Sequence, residues 1–197
     1  FAARQDPQAG RLSGLGFVNE GLDFNPVVYD LLFELAWRSE PVDLTPWLRD
    51  YARRSYGRAN AGAERAWGIL HETVYQDAFD NPVAYTAVPS LGGPPGTPYN
   101  NDRLAEAGRL LLAAADDLGA SDAYRFDLVN VTRQVLGNNA AEFHHRIIDA
   151  YERKDRDDLR RAMDALRGFL QDLDALLATR REFLLGGWIE DARRWGT

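Results

Sequence analysis

The chain is expected to fold as an all-α structure, an antiparallel helical bundle behind an irregular, glycine-rich N-terminal lead. Three observations predict it. A capping residue is followed by proline at Asn25-Pro26 and again at Thr45-Pro46, the signature of a helix start. Apolar residues recur every three or four positions over most of the chain beyond residue 25. Leu159, Met163, Leu166, Leu170, Leu173 and Leu177 are spaced 4, 3, 4, 3, 4, which is the seam of packed helices.

The elements follow in order. Residues 1–24 hold Gly10, Gly14, Gly16 and Gly21 and show no helical period, with Leu12–Val18 readable as a short strand. A first helix starts at Pro26 and carries Val28, Leu32, Leu35 and Ala36 inward as far as Arg38. The second starts at Thr45-Pro46 and stops at Gly57, since glycine accepts the left-handed geometry that ends helices. Ala63, Ala66, Trp67, Leu70 and Val74 mark one face of a third. From Asp77 to Asn100 five prolines and three glycines break the pattern, giving a long loop of the kind that is often functional. Helix resumes through Leu104, Ala107, Leu111 and Leu118 to Gly119. Ser121 then caps a long helix through Leu128, Val131, Val135 and Ile147 to about Tyr151. The leucine seam is expected to pack on that helix across the polar turn at 154–158, with Leu166 and Leu170 buried. A last helix is expected over Trp188 to Trp195.

Composition excludes several classes. The 197 residues hold 23 Lys+Arg against 30 Asp+Glu, a net charge of −7, and a nucleic-acid module would instead show a basic stripe. No run of about 18 apolar residues suggests a membrane span. Cysteine is absent, so there are no disulfides, no thiol chemistry and no cysteine-ligated zinc.

The remaining chemistry-bearing groups are few. Adjacent His144 and His145 point about 100° apart on a helix and cannot grip one metal, and His71 lacks a ligand partner four residues away. All three read as surface or partly packed side chains, and no metal site is proposed. Gly14-Leu15-Gly16 lacks the third glycine of a dinucleotide fingerprint. Tyr29, Phe33, Trp37, Trp47, Tyr51, Tyr56 and Trp67 read first as a packed aromatic core, and second as a docking or sugar-facing surface. Glu20, between a possible strand end and a helix start, reads first as a loop or capping carboxylate, and second as a group placed where barrel enzymes keep catalytic carboxylates.

Several stretches together resemble a known family. Gly14-Leu15-Gly16-Phe17-Val18-Asn19-Glu20-Gly21-Leu22, Asn25-Pro26-Val27-Val28-Tyr29 and Glu34-Leu35-Ala36-Trp37-Arg38 are similar to the α-N-acetylglucosaminidases, glycoside hydrolase family 89. The resemblance continues through Trp47, Tyr51, Arg54-Ser55-Tyr56-Gly57, Ala66-Trp67 and Thr73-Val74-Tyr75. It then covers Pro89-Ser90-Leu91, Tyr99-Asn100, Asp127-Leu128, Thr132-Arg133-Gln134 and Phe183 to Trp188, in family order over nearly the whole chain.

That resemblance implies a retaining glycosidase that removes terminal α-linked N-acetylglucosamine, with a catalytic barrel preceding a large helical domain. The family's nucleophile, the Glu of its Glu-Gly motif, matches Glu20, and the matched stretches supply Asn25 and Tyr99 as candidate substrate-binding residues. The acid/base glutamate lies upstream of the matched region. Residues 1–24 are therefore expected to be the remnant of the catalytic barrel, its last strand and nucleophile loop. Residues 25–197 are expected to be an all-α domain incomplete at its C-terminus. The expected partners are terminal α-N-acetylglucosaminyl glycans and the missing barrel of the same polypeptide, with no nucleic acid, membrane, metal or cofactor. One carboxylate cannot both attack and protonate, so the chain by itself is expected to be inactive. The competing reading is a non-catalytic helical interaction module, suggested by the leucine seam and the acidic charge.

Overall fold

The computed structural model describes residues 5–14, 16–17, 26–76, 90–94 and 96–196, and helices are the regular structure found among them. The chain divides into two compact units, Phe1–Tyr51 and Ala52–Thr197.

In the first unit, the described part of the N-terminal lead beyond Gln5 is irregular. Asp6 turns the chain: its carboxylate accepts from the Gln8 N–H (2.8 Å) and its carbonyl from the Ala9 N–H (3.0 Å). The described residues of the expected strand Leu12–Val18 (12–14, 16 and 17) are in no sheet, and a single strand without a neighbour has unpaired backbone on both edges. Phe17 instead sets its ring edge against Tyr29, with centroids 5.1 Å apart.

Helix α1, Pro26–Trp37, starts where Asn25-Pro26 predicts. It buries Val27 rather than Val28, and Phe33 and Trp37 are exposed, Trp37 to 90 %. The expectation of one packed aromatic core thus fails at this helix. It holds at Trp47, Tyr51, Tyr56 and Trp67, all buried. Helix α2, Leu44–Tyr56, begins ahead of the Thr45-Pro46 signal, because the Asp43 carboxylate accepts from the Thr45 N–H at 3.0 Å. Trp47 stacks on Tyr51, and its indole N–H donates to Glu34 at 2.6 Å.

The second unit takes up the chain at the end of α2. There Gly57 sits at φ +80° and returns its N–H to the Arg53 carbonyl, closing the helix as its sequence predicts. Helix α3, Ala61–Glu72, is capped by Asn60 and buries Ala63, Ala66, Trp67, Ile69 and Leu70. Helix α4, Asn101–Ala113, buries Leu104, Ala107 and Leu111 and is followed by the single turn α5, Ala115–Leu118. Helix α6, Asp122–Glu152, is capped by Ser121. α4 packs against both α3 and α6, and α6 runs along α7, Arg156–Leu177. At the crossing of α4 and α6 a Cβ on Gly108 would lie 3.9 Å from both Val131 and Val135, an ordinary contact distance, so the packing there would accept an alanine. A 3-10 turn, Arg181–Phe183, leads to α8, Leu185–Trp195, which begins three residues earlier than the sequence predicts.

The turn from α6 to α7 lies in the polar segment expected for it. Lys154 adopts φ +57° and Asp155 caps α7 by accepting from the Asp158 N–H. The buried stripe of α7 is rotated from the expected seam. Ala162 and Leu173 are buried and Leu166, Phe169 and Leu176 half-buried, whereas Met163 and Leu170 are exposed. Phe169 stacks on Phe143 of α6 with centroids 4.8 Å apart, and that aromatic pair holds its face of α7 inward. Leu173→Ala is therefore expected to cost about 2–4 kcal/mol in a urea titration and Leu170→Ala under about 1 kcal/mol. The reverse order would place the Met163–Leu170 face in the core.

Among the described residues no helix is long and apolar enough to cross a membrane.

Candidate functional site

A cleft of about 270 Å³ opens in the second unit, lined by Glu72, Thr73, Gln76, Pro98, Tyr99, Asn100 and Arg103. One wall is the end of α3. Thr73 terminates that helix by donating its hydroxyl to the Ile69 carbonyl at 2.7 Å, and the turn that follows carries Gln76. The other wall is the start of α4, where the Asn100 side chain accepts from the Arg103 N–H at 3.0 Å. That cap holds Tyr99 just outside the helix and Arg103 in its first turn.

Charge in the cleft is paired. Arg103 donates to Glu72 at 3.0 Å and also to Glu106, which Arg65 bonds from its other side. The hydrogen bond to Glu72, followed by that to Glu106, raises the Arg103 pKa. The bond from Arg103 lowers that of Glu106.

Behind the cleft lies a relay of amides. Gln134 and Asn138, one turn apart on α6, both donate to the Tyr99 hydroxyl oxygen at 3.1 Å. Asn138 also donates to Asn101 at 2.8 Å, and Asn101 to Asn139 at 2.7 Å. With its oxygen accepting two N–H groups, the Tyr99 hydroxyl has its own proton to give, and among the described residues none accepts it.

Tyr99 is thus the one predicted site residue whose surroundings are described. Glu20 and Asn25 lie outside the described residues. Gln134 and Asn138 were missed as site residues, although their four-residue spacing on a helix places both side chains on one face. His71 and His144 are half-buried and His145 is exposed. Among the described residues no three His, Cys, Asp or Glu side chains are grouped to hold a metal.

A second polar cluster is buried instead of open. The Trp67 indole N–H donates to the Tyr56 hydroxyl (2.9 Å), which donates to Asp127 (2.8 Å). Asp127 is only 6 % exposed, and burial pushes its carboxyl up to about 7 against the opposing pull of the Tyr56 bond. This chain joins the end of α2 to α3 and α6. The sequence carries a signal for it: Tyr124, Asp127 and Val131 fall at the spacing of one inward helix face.

Comparison with known proteins gives this arrangement its context. Residues 47–197 match the family model described as the α-N-acetylglucosaminidase (NAGLU) C-terminal domain. The chain belongs to the α-N-acetylglucosaminidase family. Human α-N-acetylglucosaminidase is 37 % identical over 205 residues, covering 98 % of this chain and 28 % of that protein. A family 89 glycoside hydrolase from Clostridium perfringens, solved in complex with PUGNAc, superposes with a TM-score of 0.79 at 29 % identity. That match covers 86 % of this chain and 20 % of the clostridial one. A variant of the clostridial enzyme with two glutamates changed to glutamine, in complex with its substrate GlcNAc-α-1,4-galactose, matches with a TM-score of 0.78. The chain therefore spans about a quarter of the lengths of these α-N-acetylglucosaminidase relatives, and its helical fold is that of the family's C-terminal domain.

Proposed function

We propose that this chain is part of a retaining glycosidase that removes terminal α-linked N-acetylglucosamine, and that Glu20 is its nucleophile. Family membership across residues 47–197 carries the reading. The Glu-Gly motif at Glu20-Gly21, in family order ahead of that match, supports the role of Glu20. Residues 1–24 then belong to the end of a catalytic barrel and residues 25–197 to the helical domain. Asn25 and Tyr99 contact substrate.

The chemistry needs two carboxyl groups about 5–5.5 Å apart. Glu20 attacks the anomeric carbon while a glutamic acid from the preceding polypeptide protonates the departing glycosidic oxygen. The C–O bond breaks and a β-linked glycosyl ester on Glu20 forms. Water, deprotonated by the second glutamate, then attacks the same carbon and releases Glu20 and the α sugar. The clostridial substrate complex, obtained with two glutamates changed to glutamine, fits a two-carboxylate mechanism of this kind. Proton NMR of the first-formed sugar tests it in a longer polypeptide that includes this chain. Release of α-N-acetylglucosamine ahead of its β anomer is expected, and β sugar first would remove Glu20 as nucleophile.

One observation favours a second reading, a non-catalytic interaction module. Helix α8 buries none of its side chains, and Leu185, Trp188, Ile189 and Trp195 are all exposed. A longer polypeptide with no glycosidase activity would support that reading over the first.

A further inference from the structure

Helix α1 has the composition of a helix from the inside of a protein. Of its 12 residues only Asp30 and Glu34 are charged, and they share one strip of the helix. Apolar side chains and Tyr29 occupy the rest of the circumference, and a helix apolar on nearly every side belongs in a core. Yet α1 buries Val27 alone; Val28 and Phe33 are about half exposed, and Trp37 is 90 % exposed. The polar strip is the side already in use, since Glu34 accepts from the Trp47 indole at 2.6 Å and from Arg38 at 2.7 Å. Helices α7 and α8 also expose apolar residues, but both carry Asp and Arg side chains on another side that suits water. Helix α1 has no such side to turn outward.

We propose that α1 docks on the catalytic domain that precedes this chain in the same polypeptide, with Phe33 and Trp37 inserted into it, and that these two are positioning residues for Glu20; the proposal rests on the glycosidase reading above. Three observations choose that occupant. The match to the family's C-terminal domain begins at Trp47, beyond the end of α1 at Trp37, so the helix falls on the side of what comes before that domain. Helix α1 also belongs to the compact unit Phe1–Tyr51 and not to Ala52–Thr197. The chain covers 28 % of the human relative and 20 % of the clostridial one, so proteins of this family have ample further polypeptide to enclose a helix. The consequence for the chemistry comes from chain length. Glu20 and Pro26 are six positions apart, a reach of at most about 20 Å. Anchoring α1 by two large aromatic side chains thus limits where the Glu20 carboxylate can stand, and retention needs it about 5–5.5 Å from its partner.

The test uses a longer polypeptide that includes this chain and the preceding domain. Hydroxyl-radical footprinting reads the oxidation rates of Phe33 and Trp37, compared with the same residues in an unfolded peptide of the α1 sequence. Both are expected to be protected about tenfold or more at every protein concentration. Peptide-like rates would overturn the proposal. Protection that disappears on dilution would also overturn it, by assigning the face to a second copy. Trp37→Ala is expected to lower kcat on an aryl α-N-acetylglucosaminide about ten- to a hundredfold with KM within about threefold, the pattern of a misplaced reacting group. Trp37→Phe is expected to restore most of that loss. Where Trp37→Ala does not fold, Phe33→Leu is expected to show the same split with a smaller loss of kcat. Parental kcat in the folded variant, or a loss carried by KM alone, would remove the positioning role. Protected aromatics in a polypeptide whose Glu20→Ala variant keeps near-normal turnover would refute the role of Glu20 and leave the docking in place. Exposed aromatics beside an inactive Glu20→Ala variant would refute the docking alone.

Discussion

In a longer polypeptide that carries this chain, Glu20→Ala is expected to lower turnover of an aryl α-N-acetylglucosaminide by several orders of magnitude, the loss that follows when a covalent step is deprived of its proposed nucleophile. On the proposed role of Glu20, the alanine would also leave a hole beside the anomeric carbon on the face the nucleophile attacks. Azide is small enough to enter it, and with an activated leaving group it restores part of the rate. The product identifies the role. Azide entering from the nucleophile's face gives a β-configured glycosyl azide, inverted from the α substrate. An α-configured azide would mean that the glycosyl-enzyme still forms and that Glu20 is the acid/base instead. Near-normal turnover of Glu20→Ala would remove Glu20 from the mechanism altogether.

The second large effect concerns stability. Asp127 has its carboxyl pushed up to about 7 in the folded chain, from an ordinary value of 3.8. The raised value means that the folded state holds a proton the unfolded state has already released. This contribution is fully present below about pH 3.8, declines by about 1.4 kcal/mol per pH unit above it, and is gone once pH has risen through about 7. Its full span is on the order of 4 kcal/mol. The exposed acid Asp122 is shifted the opposite way by its hydrogen bonds from Arg180 and then Arg125, so the wild-type profile is a sum of opposing contributions. A difference measurement isolates Asp127. Asp127→Asn still accepts from Tyr56 but cannot titrate. The stability of the wild type minus that of the variant, from urea titrations between pH 4 and 8, is expected to fall steadily as pH rises. A flat difference would mean that Asp127 does not carry the proton.

How much of this was legible differs from element to element. Local chemistry was read well: Pro26 starts a helix, Gly57 stops one, Ser121 caps the longest, and the polar segment at 154–158 holds the turn that follows it. Tyr99, named through resemblance, lines the candidate cleft. Its supporting amides were not named, because Gln134 and Asn138 meet Tyr99 only across 35 and 39 residues of chain. Asp127 sits on an apolar helical face, yet its burial depends on Tyr56, 71 residues away.

The sequence by itself therefore determined the all-α class, most of the helix boundaries and the family, since caps, stops, periodicity and ordered motifs are local properties of the chain. The tertiary structure alone decided which face of each amphipathic helix turns inward. Two neighbouring apolar stripes on α7 share Leu166 and Leu173, and either could have been buried. The stacking of Phe143 on Phe169 brings one inward, with Ala162 and Leu173 buried and Met163 and Leu170 left outside, and such packing between distant residues has no counterpart in local spacing.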